Sequence, residues 1–338
     1  MSGGAGLRGA VAAQALSPET DAALVAAMRT LGAAAGETLE AVVFFGSRRS
    51  GAAGSNAFSA YDLFAIVRAY RPFYEALRAA GLAGKSPALL AALSRWLPPT
   101  QISLRFEAPE LHAKVSVMEL AAFSRETSPR RHDHFTIGRL FQPARVVLAR
   151  SEEVRAAVLA ALVSAHAETW RWLWPWLPPA FDAESYGRTA LEVSMSWEVR
   201  PEPAGRAAAL WAAQREAQRP VFAALLTELE SRGELQRLEA VAAQGGGGPS
   251  FAPVARPRAW AALRLRIYFT CSLLRATARW LKHVVSFEGW LDYIVRKASR
   301  HSGQAIELSP RERRWPFVFL WARAFRYLRQ KDRKDARP

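Results

Sequence analysis

Gly46, Ser47 and Asp62 are the residues whose types and spacing could do chemistry. Val42, Val43, Phe44 and Phe45 form an apolar run that ends on Gly46-Ser47. A stretch of small residues follows, then Tyr61-Asp62-Leu63-Phe64-Ala65-Ile66-Val67, a second apolar run with one carboxylate near its start. Both runs have the β-branched and aromatic composition of buried strands. A glycine-serine turn can present backbone N–H groups to a phosphate. A carboxylate on the neighbouring strand can ligate the Mg²⁺ that neutralises that phosphate. Without such a partner, a charge in an apolar strand is costly. The alternative reading is a hairpin turn at Gly46-Ser47, with Asp62 as a strand-end residue.

Two cations could complete an anion site. Lys114 lies in Ala113-Lys114-Val115-Ser116-Val117-Met118, a predicted strand on which it shares a face with Ser116. It could contact a nucleotide or an acceptor phosphate, or simply sit at a strand edge. Arg139 follows Gly138 and could clamp a phosphate bidentately, or occupy a surface turn. Glu107 and Glu119 each flank a predicted strand and could add a second metal carboxylate; the sequence does not choose between them. His132-Asp133-His134 has the spacing of a polar loop and completes no zinc set.

The elements that must position these groups follow from periodicity. A helix is predicted over 18–35, with Ser17 as its cap and Pro18 in its first turn. Helices are predicted over 70–80 and 87–97, ended by Gly81 and Pro98-Pro99. Strands are predicted over 102–106, 113–118 and 144–149. Together these give an α+β catalytic domain over 1–150, a mixed sheet flanked by helices. Helices over 151–168, 186–200 and 204–229 give a mostly helical domain over 151–248. Its tryptophan- and proline-rich segment 170–179 reads as a packing wedge. The glycine run at 244–249 reads as a linker. A basic amphipathic helical region is predicted over 249–338.

Charge is unevenly spread. The chain has 338 residues and a net charge of +16. Residues 256–338 hold twenty Lys/Arg and six Asp/Glu, a net of +14. Such a block suits an anionic surface, membrane or nucleic acid. Residues 258–285 and 315–329 each mix cations with aromatic and leucine residues, as helices lying in a bilayer interface do. Trp315, Phe317, Trp321, Arg323, Arg326 and Arg329 are the predicted membrane-binding residues. The alternative is a core helix whose arginines snorkel or pair. One cysteine, Cys271, excludes an intramolecular disulfide and fits a reducing compartment. No apolar run is long enough for a transmembrane helix, and the first twenty residues resemble no signal peptide.

Gly46-Ser47, the variable loop and the strand bearing Asp62 resemble the nucleotidyltransferase superfamily, whose motif is Gly-Ser followed by Asp-x-Asp. The first Asp of that pair is Ala60 here. Three further segments are similar to one branch, the phosphatidate cytidylyltransferases of the mitochondrial translocator-assembly-and-maintenance type and their bacterial relatives. These are His112-Ala113-Lys114-Val115-Ser116-Val117, then Ile137-Gly138-Arg139-Leu140-Phe141-Gln142-Pro143-Ala144, and then residues 287–303. The charged segment Glu198-x-Arg200-x-Glu202 also resembles that family, although surface ion pairing accounts for it equally. The resemblance implies a nucleotidyltransferase-type fold and an enzyme of phospholipid biosynthesis. That enzyme transfers CMP from CTP to phosphatidic acid, yielding CDP-diacylglycerol and pyrophosphate. It implies catalytic Asp62 and Lys114, with Gly46, Ser47, Lys114 and Arg139 binding nucleotide and Asp62 holding Mg²⁺. It further implies a cytoplasmic protein peripheral to the inner face of the cell membrane. Two other readings stay open: an inactive nucleotidyltransferase fold that binds membrane or nucleic acid, and an enzyme extending RNA.

Overall fold

The two apolar runs pair with each other. Strands β1 (Leu39–Phe45) and β2 (Tyr61–Val67) lie antiparallel in a five-stranded mixed sheet. The structure, a computed structural model, describes residues 6–50, 60–107, 110–198, 205–238, 249–255, 259–286 and 307–315, with the single positions 291, 295, 299 and 319. Strand β3 (Thr100–Glu107) pairs antiparallel with β4 (Glu110–Glu119), and β4 runs parallel to β2. Strand β5 (Arg145–Ala149) closes the other edge against β1, giving the order β3-β4-β2-β1-β5. All seven residues of β1 are buried, so its sequence shows no alternation. In β3, Thr100, Ile102, Leu104 and Phe106 alone are buried, which is the alternation that its sequence displays.

Each face of the sheet has its own core. On one face, Val42, Phe44, Leu63, Ala65 and Val115 meet helices α1 (Ala22–Ala35), α2 (Tyr70–Ala79) and α3 (Pro87–Trp96). Helix α1 begins later than the sequence suggests. Its cap is Asp21 rather than Ser17: the Asp21 carboxylate accepts the N–H groups of Ala23 and Leu24, and also the Tyr61 hydroxyl. A cap of this kind contributes about 1 kcal/mol. Before it, residues Leu7–Ala15 form a further helix, packed against the opposite face.

That opposite face carries the larger core. Val43, Phe45, Phe64, Ile66 and Met118 pack with α4 (Leu120–Glu126), α5 (Ile137–Leu140) and α6 (Glu152–Ala167). The same cluster continues through α7 (Thr169–Leu173), α8 (Ala183–Ser196) and α9 (Arg206–Ser231). Trp172 is fully buried within it, as a packing wedge should be. One hydrophobic core therefore spans residue 150. The glycine run has strands on both sides: β6 (Leu235–Leu238) pairs antiparallel with β7 (Ser250–Pro253). The chain before the run thus returns onto itself after it.

Helix α10 (Ala259–Ser286) completes this first compact unit, Met1–Ser286, which spans the expected boundaries at 150 and 248. Phe269 is fully buried. Arg275 and Arg279 both reach Asp133, at 3.0 and 2.6 Å. Lys282 donates to the carbonyls of Leu97 and Pro99 and to the Thr100 hydroxyl. The first of the two expected membrane-interface stretches is thus fastened by its cations to Asp133 and to the start of β3. The second unit is Phe287–Pro338. Its described part includes a short helix, Pro310–Arg314, closed by a reciprocal cap between Ser309 and Glu312.

Candidate active site

The site is built where β1 ends beside the start of β2. Phe45 and Asp62 are register partners, so Gly46 falls directly over the Asp62 side chain. Gly46 has φ +88°, a conformation that disfavours any side chain. A Cβ on it would stand 2.6 Å from Asp62 Oδ2. Only glycine lets the chain turn here while leaving the carboxylate room. The Arg49 N–H then donates to the Gly46 carbonyl at 3.1 Å, closing the turn. Residues Ser47–Ser50 form one helical turn.

Across the parallel pairing of β2 and β4, Asp62 stands beside Lys114 on the same face. Adjacent strands lie about 4.8 Å apart, so the two half-buried side chains share one surface. Lys114 is in turn opposite Ser103 of β3, whose hydroxyl is 2.6 Å from His112 Nε2. Gln101 donates to Ser116 at 3.3 Å on the same face. The β1 portion of that face is apolar, while β2, β4 and β3 carry a polar strip of Asp62, Lys114, Ser103, His112, Gln101 and Ser116. The alternation of β3 signals these hydroxyl and amide groups, but sequence alone assigns them to a solvent face rather than to the face of Asp62.

Arg139 lies on α5, whose Ile137 and Leu140 share a core with Phe64 and Met118 on this side of the sheet. Its guanidinium stacks over the Phe135 ring at 3.8 Å, donates to the Phe135 carbonyl at 2.8 Å and pairs with Glu198 at 3.6 Å. Arg279 of α10 covers the same ring at 4.5 Å. Gly138 is needed for this packing, because a Cβ there would meet Ser194 Oγ at 2.8 Å.

Arg48 is a residue that sequence reasoning missed. Its guanidinium lies 4.0 Å over the Tyr61 ring, one residue from Ser47. Burial and then the hydrogen bond to Asp21 push the Tyr61 hydroxyl up to about 12, so it stays protonated near neutrality. Nearby, Arg145 pairs with Glu19 at 3.0 Å.

The two carboxylates held in reserve do not join Asp62. Glu119 pairs with Val67 at the far end of β2, five residues or about 16 Å along the strand from Lys114. Its carboxylate accepts the Tyr70 N–H at 3.2 Å. Glu107 pairs with Glu110 at the β3–β4 turn, four residues or about 13 Å beyond Ser103. Among the described residues no group of three His, Cys, Asp or Glu side chains is arranged to hold a metal. The residues present still fit Mg²⁺ in one respect. A single carboxylate, with space left by Gly46, suits an ion whose other ligands are substrate phosphates and water.

His132-Asp133-His134 is a structural latch. Burial opposes ionisation of Asp133, but Arg279 and Arg275 outweigh it and hold the carboxyl below its usual range. His134 is enclosed by Trp172, Tyr268 and Phe269, and burial followed by the nearby Arg131 lowers its pKa to about 3. His132 lies 2.6 Å from Glu126.

Of the predicted membrane residues, Trp315 is exposed. Phe317, Trp321, Arg323, Arg326 and Arg329 lie outside the described residues, as do Arg200 and Glu202. No helix among the described residues is long and apolar enough to cross a membrane. Neither a known family model nor a curated protein matches the chain.

Proposed function

We propose that the chain is a nucleotidyltransferase-type enzyme, a phosphatidate cytidylyltransferase working at a membrane surface. The observation that carries the reading is Gly46 turning over Asp62 with Lys114 in the adjacent register position. The motif order along the chain supports the choice of lipid branch. In the reaction, an anionic phosphate oxygen of phosphatidic acid attacks the α-phosphorus of CTP. The new P–O bond forms as the bond to the β-phosphate oxygen breaks, and pyrophosphate leaves. The nucleophile is already ionised near neutral pH, so no strong general base is needed. Positioning and charge neutralisation remain for the protein to supply.

Each residue has a role in that scheme. The backbone at Gly46 and Ser47 cradles the β- and γ-phosphates. Lys114 neutralises either the triphosphate or the lipid phosphate. Arg139, already oriented by Phe135, clamps a phosphate with its planar fork. Asp62 would hold Mg²⁺, which supplies charge neutralisation on the transferring phosphate when bound. Labelled CTP, Mg²⁺ and phosphatidic acid vesicles test the reading, with RNA offered as the alternative acceptor. CDP-diacylglycerol plus pyrophosphate is the expected product; labelled RNA without lipid product would overturn it. Ala60 favours a second reading, a catalytically inactive fold retained for binding. Absence of turnover with both acceptors, together with retained CTP binding, would select that reading.

A further inference from the structure

Helix α10 is amphipathic in an unusual sense. Its C-terminal half carries Arg275, Arg279 and Lys282, paired with Asp133 and with backbone carbonyls. Its exposed side carries an apolar stripe. Trp260, Leu263, Ile267 and Leu274 are 69%, 46%, 53% and 66% exposed. With the exposed Cys271 they recur at intervals of three and four, which places them on one helix face. The stripe is about 21 Å long at 1.5 Å per residue. Arg264 and Arg266 are exposed on its two sides. The helix sequence contains no Asp or Glu. An apolar stripe of this size on one helix needs a partner.

We infer that this stripe is the seat of the enzyme on an anionic bilayer, with Trp260, Leu263, Ile267 and Leu274 in the acyl boundary and Arg264 and Arg266 among the headgroups. Charge complementarity selects that occupant. A carboxylate-free helix with flanking guanidinium groups gains from anionic lipid, each cation at the surface adding to the attraction. The C-terminal half of the same helix reaches the Phe135 ring that Arg139 also covers. Arg279 and Arg139 both lie over the Phe135 ring, so a bilayer seated on the stripe is coupled through one helix to the proposed phosphate clamp. The inference rests on the lipid-substrate reading for its purpose and on the helix for its geometry.

Cys271, the chain's single cysteine, lies within the stripe and provides the test. The full chain is labelled there with an environment-sensitive fluorophore and mixed with phosphatidylcholine vesicles, with or without phosphatidylglycerol. The expected result is a blue shift with the anionic vesicles, quenched by spin-labelled acyl chains. The unlabelled triple variant Leu263→Ser, Ile267→Ser, Leu274→Ser should sediment with those vesicles about tenfold more weakly, with its melting temperature little changed because all three side chains are exposed. A probe that stays in water while the protein sediments with vesicles overturns the inference. So does a shift that grows with protein concentration in the absence of lipid, which marks a second copy, or one that appears only with RNA. Cytidylyl transfer in detergent micelles separates the two readings. Product there with a water-exposed probe sinks the seat alone, and a bilayer-buried probe without product sinks the chemistry alone.

Discussion

At the residue scale the proposed chemistry converges on Asp62. It is the carboxylate that the β1–β2 turn presents, and neither Glu107 nor Glu119 is near enough to replace it. Asp62→Asn keeps size and shape while removing the charge. Turnover of CTP should fall by about a thousandfold or more with the circular dichroism spectrum unchanged. Near-normal turnover in that folded variant would remove Asp62 from the catalytic set. Gly46 makes a separate prediction. Any side chain at φ +88° is strained, and a Cβ meets the Asp62 carboxylate at 2.6 Å. Gly46→Val should therefore cost about 1–3 kcal/mol of stability and also weaken CTP binding. Calorimetry showing wild-type CTP affinity would mean that the turn does not hold the triphosphate.

At the scale of elements, the decisive contact is between α10 and the segment before α5. Asp133 is buried and paired with Arg275 and Arg279, and Arg279 is itself buried. Removing the carboxylate strands a guanidinium in the interior, and breaking such a pair costs about 3–5 kcal/mol. Asp133→Asn should lower the unfolding free energy measured in urea by that amount, and with it the midpoint, and a second change, Arg279→Met, should recover part of both. An unchanged midpoint would mean that the latch is solvated. This contact also shows where sequence reading stops. The strands were legible because burial on both faces leaves apolar runs and burial on one face leaves alternation. The proposed lysine and aspartate were legible singly, but their adjacency depends on a parallel pairing between residues 52 positions apart. Ser17 and Asp21 are equally good caps on paper; Asp21 caps the helix and also accepts a hydroxyl from Tyr61, forty residues away. The cations of α10 looked alike in sequence. Which of them face inward is decided by Asp133 and by the carbonyls around Pro98, contacts invisible to helical periodicity.

At the scale of the whole molecule, stability and surface charge respond to conditions through different groups. His134 is neutral in the folded protein, with a pKa of about 3 against an ordinary value near 6.5, and Arg131, Asp133 and Arg139 are the charges around it. Its contribution is complete above about pH 6.5 and is lost as pH falls toward 3, because the unfolded chain then binds a proton that the folded one excludes. The melting temperature should therefore drop less on acidification from pH 6.5 to about 5 in His134→Phe than in the parent; equal slopes would contradict the burial. Surface charge is the business of the chain's end. Residues after Pro310 contain ten Lys/Arg and three Asp/Glu, so their removal lowers the net charge from +16 to +9. If that segment meets anionic lipid electrostatically, truncation should weaken vesicle binding most at low salt. The deficit should shrink as the Debye length falls toward about 8 Å at physiological ionic strength. Burial of the α10 stripe is hydrophobic, and its loss should weaken binding about equally at every salt concentration. Sedimentation of the truncated chain and of the triple α10 variant across a salt series separates the two contributions. A truncation whose deficit does not change with salt would show that the basic end acts through something other than its charge.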